Sequence, residues 1–166
     1  MTPTLALFRS LLLLSAAGLL AASPAMADRA VPIPEEARDA VATVDRFLAA
    51  LKAGDLERAA ADLDPELVVL EGGNAELSAE QYLALHAKLD AEFLKTATVD
   101  TGYRRARVHG DLAWVASLTE TQSEHEGKPI TIDGAESMVL KRVGNGWRIV
   151  HIHWSSRVRK EEPEEP

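Results

Sequence analysis

Five side chains of the kinds that move protons or hold metal ions could converge in one cavity, Glu71, His86, Asp90, His151 and His153, with Glu136 as a sixth candidate. His86 and Asp90 are four residues apart, so on a helix their side chains are neighbours. A carboxylate beside an imidazole in an apolar pocket can have its pKa moved toward neutrality, as proton abstraction next to a carbonyl requires. Asp90 with His86 is therefore the candidate catalytic pair, with Tyr82 one turn earlier as a hydrogen-bond donor. His151 and His153 stand two apart in the run Trp147 to Arg157, which has the composition of a strand. Strict alternation puts Trp147, Ile149, His151, His153 and Ser155 on one face, and Arg148, Val150, Ile152 and Trp154 on the other. With His86, the two strand histidines form a candidate metal set for zinc or copper, completed by a carboxylate from Asp90 or Glu71. Glu71, Tyr82, Glu136, Trp147, His151 and His153 are the candidate ligand-binding residues. Against these readings stands a plain one, in which the histidines satisfy neighbouring polar groups and Asp90 lies exposed on a helix flank.

The elements that must position these residues follow from periodicity. A helix is expected from Glu35, with Val41, Val44, Leu48 and Leu51 in one stripe and Gly54 as its cap. A short helix follows from Leu56 to Leu63, then an apolar strand, Leu67 to Leu70, and a turn through Gly72-Gly73. Ser78 and Gln81 make a capping box for a third helix running to about Leu94, with Tyr82, His86, Leu89 and Phe93 on one face. From Thr98 the period becomes two. Strands are expected at 98–109, 112–124, 130–143 and 147–157, the last pair joined at Asn145-Gly146. In that pairing Glu136 should fall near Ser155 or Arg157. Trp114 with Leu118, and Val150 and Ile152 with Trp154, should form an outward apolar surface, and Arg104, Arg105 and Arg107 read as solvated edge charges.

Residues 1–27 resemble a signal peptide: Arg9, an apolar run from Leu11 to Ala22, and Ala25-Met26-Ala27 before a cut at Asp28. The run is shorter than the roughly 20 residues a membrane span needs. The expected division is signal peptide 1–27, linker 28–35, domain 36–157 and a disordered acidic tail 158–166. The whole chain carries a net charge of −8. Loss of residues 1–27 would remove one basic residue and no acid, so the domain offers phosphates no electrostatic footprint. No cysteine is present, which excludes thiol chemistry and disulfides. P-loop, dinucleotide, nucleophile-elbow and HExxH motifs are absent from the sequence.

Helices followed by an antiparallel meander, with the segments Gly110-Asp111-Leu112-Ala113-Trp114-Val115, Glu136-Ser137-Met138-Val139-Leu140 and His151 to Ser156, resemble the nuclear transport factor 2-like superfamily. The branch most similar is the SnoaL-like one, and the association domain of calcium/calmodulin-dependent kinases is also similar. The resemblance implies an α+β, cystatin-like fold: a cone-shaped curved antiparallel sheet packed on three N-terminal helices around a pocket. It implies no single activity, because the superfamily includes isomerases, dehydratases, binders and oligomerisation modules. The Tyr-and-two-Asp pattern of ketosteroid isomerases does not map onto the chain position by position. The expectation is thus a periplasmic or secreted domain binding a small molecule in a His/acid-lined pocket, as a homodimer. It would need no cofactor and engage neither nucleic acid nor, after cleavage, membrane. The alternatives are an isomerase or lyase using Asp90 and His86, a divalent metal binder, and an oligomerisation module.

Overall fold

The computed structural model describes residues 31–160. The expected signal peptide and most of the acidic tail lie outside the described residues. No helix among the described residues is long and apolar enough to cross a membrane.

A 3-10 turn, Glu35–Ala37, leads into α1 (Arg38–Ala53). Ala40, Val44, Phe47 and Leu51 recur every three or four residues and are fully buried, so one stripe of α1 anchors it to the sheet. Gly54 ends the helix at φ 71°, and its N–H reaches back to the carbonyls of Ala50 and Leu51, a left-handed cap natural to glycine. α2 (Leu56–Ala61) is capped by Asp55, whose carboxylate accepts from the Arg58 N–H at 3.0 Å.

Strands β1 (Leu63–Glu71) and β2 (Asn74–Glu76) form a hairpin through Gly72-Gly73. The expected third helix is two helices, α3 (Ala79–Ala84) and α4 (His86–Thr96), broken at Leu85 with φ −137° and ψ −58°. The break re-aims the predicted stripe. Tyr82 is fully buried, but Leu89 and Phe93 are 60% and 42% exposed, and Ala87 and Ala91 take the buried positions on α4.

Strands β3 (Thr98–His109), β4 (Leu112–His125), β5 (Lys128–Val143) and β6 (Gly146–Val158) form the expected meander. The sheet is six-stranded in the order β2-β1-β6-β5-β4-β3, and β1 runs parallel to β6. The β5–β6 hairpin closes on the pair Val143 and Gly146, so its two-residue turn is Gly144-Asn145, not Asn145-Gly146. Gly144 has φ 59°, suiting the first central position of a type II′ turn.

One irregularity decides which side chains face the helices. Leu140 pairs with Ile149, but Val139 pairs with His151, leaving Val150 as an extra residue in β6. A bulge of this kind shifts the alternation by one. Trp147 and Ile149 point into the core, and beyond the bulge Ile152 and Trp154 do so. Met138 and Leu140 on β5 and Ala113 and Val115 on β4 complete that buried face.

Candidate functional site

His86 begins α4 at the break after Leu85, and the chain supplies an acid to it from each neighbouring element. Its Nδ1 lies 3.0 Å from Glu76 Oε1 at the end of β2. Its Nε2 lies 3.0 Å from Glu71 Oε2 at the end of β1 and 3.5 Å from Asp90 Oδ1 one turn along α4. The Tyr82 hydroxyl on α3 donates to Asp90 Oδ2 at 2.7 Å. The Tyr82 ring is wedged between Phe47, His86 and Trp154, with centroids at 6.4, 5.5 and 6.2 Å, so packing fixes the hydroxyl that fixes Asp90. The helix break is what permits this, because it turns His86 toward the β1–β2 hairpin while Asp90 still meets Tyr82.

Burial pushes the Asp90 carboxyl above its ordinary range, and Glu71 and Glu76 push the same way, against the Tyr82 hydroxyl and His86. For His86, burial disfavours the charged ring but is outweighed by Asp90, Glu76 and Glu71, so its pKa is raised from 6.5. Burial, aided by Asp90, raises the Tyr82 phenol well above its ordinary value, so it acts as a donor and not as a base. The other oxygen of Glu76, Oε2, is buried without a hydrogen-bond partner.

Glu71 and Asp90 open onto a cavity of about 400 Å³ between α1, α4 and the sheet. Leu48, Phe93, Leu94, Val99 and Ile132 supply an apolar lining, with Trp154 beside the acids. On the same floor Glu136 pairs directly with Trp154, not with Ser155 or Arg157. Its Oε2 accepts from Trp154 Nε1 at 3.2 Å. Arg104 sits 3.7 Å from Glu136 Oε1, donates to Ser117 Oγ at 3.0 Å and pairs with Asp45 on α1 at 2.5 Å. A larger, shallower depression of about 900 Å³ holds Asp133 and Arg159 but none of the His86 network.

The structure therefore brings together Glu71, Tyr82, His86 and Asp90, with Glu136 on the adjoining floor. It does not bring His151, His153 or Trp147 to them. His151 pairs with Val139 and Val68, and His153 with Ser137 and Leu70, on the face away from the helices. The Val150 bulge is the reason, and it removes the expected metal set His86, His151 and His153. Trp147 is core, 5% exposed, with the Arg142 guanidinium 4.2 Å from its ring centroid. The same parity change moves Ile152 and Trp154 inside, contrary to expectation, while Trp114 and Leu118 share the outer face with the histidines. Glu76, Arg104 and Asp45 were missed. Arg104 alternates with buried Ala106, a signal that it faces inward and is not a solvated edge charge.

A family model described as the SnoaL-like domain matches residues 40–159. A solved structure named as a candidate ketosteroid isomerase from Shewanella frigidimarina is 30% identical. The alignment covers 75% of this chain and 100% of that one, with a TM-score of 0.70. A candidate calcium/calmodulin-dependent protein kinase II association domain from Xanthomonas campestris is 23% identical over 83% of this chain and 97% of its own, at TM-score 0.62. A candidate dehydratase of the nuclear transport factor 2-like family from Streptomyces avermitilis is 16% identical over 74% and 96%, at TM-score 0.63. These last two likenesses are of fold alone. No curated protein matches the chain. The helices, the curved sheet and the match across most of the described residues agree: the chain belongs to the SnoaL-like domain family of the nuclear transport factor 2-like superfamily.

Proposed function

We propose that the cavity binds a small, mainly apolar molecule by a polar group placed at its Glu71–Asp90 end, and that Asp90 exchanges a proton with it. The domain then acts as a cofactor-independent isomerase or lyase. The observation that carries this reading is the state of Asp90: a carboxylate on the cavity wall, oriented by Tyr82 and held above its ordinary pKa by burial. A base raised toward neutrality is better matched to abstracting a carbon-bound proton beside a carbonyl. His86 and Glu71 stand next to Asp90 and can relay or hold that proton. The name of the Shewanella protein supports the same class of reaction.

The test is conversion of a β,γ-unsaturated ketone to its conjugated isomer, followed by ultraviolet absorbance. Asp90→Asn should lose about 10²- to 10⁴-fold in kcat while ligand still quenches Trp154 fluorescence. Turnover unaffected by Asp90→Asn would overturn the proton-transfer reading. Quenching without turnover across such ketones would leave a binding domain only.

We place this activity in the periplasm or outside the cell, on the signal-like pattern of residues 1–27. N-terminal sequencing of the exported protein should begin at Asp28. We also propose that the protein is a homodimer. Trp114, Leu118 and Val139 are half-buried and lie on the sheet face opposite Val115 and Met138, and such an apolar face suits a second copy. Native mass spectrometry showing monomer alone would refute that.

A further inference from the structure

The expected three-histidine metal set does not form, yet the fold builds another in its place. We propose that Glu71, His86 and Asp90 bind one first-row divalent transition-metal ion, of which zinc is the probe, with Glu76 holding the imidazole from behind. This goes beyond the proton-transfer reading, although it uses the same side chains.

The donor atoms of the three residues lie within 4.8 Å of one another. Two ligands each about 2.1 Å from one ion stand about 3.0 Å apart at a right angle and about 3.4 Å apart at the tetrahedral angle. His86 Nε2 is 3.0 Å from Glu71 Oε2 and 3.5 Å from Asp90 Oδ1, both close to those separations.

The second argument is the far side of the ring. A histidine that ligates through Nε2 must carry its proton on Nδ1, and a carboxylate on Nδ1–H fixes that tautomer and makes the other nitrogen a better ligand. Glu76 Oε1 at 3.0 Å from Nδ1 is in that place. The other Glu76 oxygen is buried with no partner of its own, so His86 is the one hydrogen-bond partner of this carboxylate among the described residues.

The third argument is charge. Three carboxylates converge on a single imidazole, and the Tyr82 hydroxyl satisfies only one oxygen of one of them. One nitrogen and two carboxylate oxygens make a borderline-to-hard donor set suited to zinc, manganese or iron(II) and poor for copper(I). Glu71 and Asp90 line the cavity, so the remaining coordination positions face the space where a small molecule would sit. An ion there displaces the proton shared between His86 Nε2 and Glu71 and holds Asp90 ionised, so the metal-bound state and the proton-transferring state of this site exclude each other.

The experiment is calorimetric titration of zinc into the untagged full-length protein, stripped with chelator and desalted, with no organic ligand present. The expected result is one ion per chain. Glu76→Gln should weaken binding about 10- to 100-fold, and His86→Asn or Glu71→Gln should weaken it by more. The double variant His151→Ala/His153→Ala should bind as the wild type does. Near-ultraviolet circular dichroism establishes that each variant is folded, and Glu71, partly exposed at the strand end, is the safest of them. Zinc binding that is absent, that is unchanged in all three cradle variants, or that disappears with the outer-face histidines would overturn the proposal. Because no turnover is measured, its failure leaves the isomerase reading standing, and loss of ketone turnover leaves the metal result intact.

Discussion

Replacing His86 by leucine tests whether the site is held together by an imidazolium. In the structure the ring separates Glu71, Glu76 and Asp90, with two contacts at 3.0 Å and one at 3.5 Å. Removing one partner of a buried charge pair costs about 3–5 kcal/mol. The His86 side chain is 22% exposed and Glu71 33%, so water recovers part of that, and we expect a loss of about 2–4 kcal/mol. The pH dependence is the sharper test. The folded-state pKa of His86 is raised from 6.5, so the folded protein holds that proton more tightly than the unfolded chain. The resulting stability is fully present below 6.5 and is lost as pH rises through the raised folded value. Urea unfolding of chelator-treated protein at about pH 6 and about pH 9 should show a large difference between wild type and His86→Leu at the lower pH and a smaller one at the higher. An equal difference at both would mean that the charge on the ring contributes nothing, and the reasoning about this site would fail.

Three further outcomes follow from named contacts. Tyr82→Phe removes the donor to Asp90 and should cost about 1.5–3 kcal/mol at neutral pH, while carbon-13 NMR of the Asp90 carboxyl should show its pKa moving further up, since the lost bond favoured the ionised form. Deleting Val150 removes the one residue of this stretch that the β5 ladder leaves unpaired and makes the alternation regular with Ile149, Ile152 and Trp154 still inside; we expect a cooperative thermal transition to persist, and its loss would show that Val150 is not the residue that sets the parity of β6. Lys141→Met leaves the buried Asp64 carboxylate without its 2.8 Å partner and should cost roughly 1–3 kcal/mol. Asp64 has a lowered folded pKa despite burial, through Lys141 and the Glu66 N–H. Its contribution is therefore present above about pH 4 and lost as acid titrates it, so wild type and Lys141→Met should converge in acid unfolding curves.

The elements could be read from sequence because their signals are local. The apolar spacing of Val44 and Leu51, the Gly54 cap, the Ser78 capping bond and the shift to period two after Thr98 depend only on neighbours a turn or a strand away. The proximity of His86 and Asp90 was legible for the same reason, being one helical turn. What the sequence left open was parity and break. A single extra residue at Val150 exchanged the histidine face for the Ile152–Trp154 face, and nothing in the type of residue 150 announces it. The run Trp147, Ile149, Ile152, Trp154 carries the clue in its spacing of two, three and two, but choosing that pattern over strict alternation requires knowing which face the helices cover. The break at Leu85 is likewise set by two surfaces at once: Tyr82 packing against Phe47 and Trp154, and His86 reaching Glu71 and Glu76. Local backbone preference proposes the strands and helices. Which of their side chains share a cavity is decided only when sheet and helices compete for the same buried face.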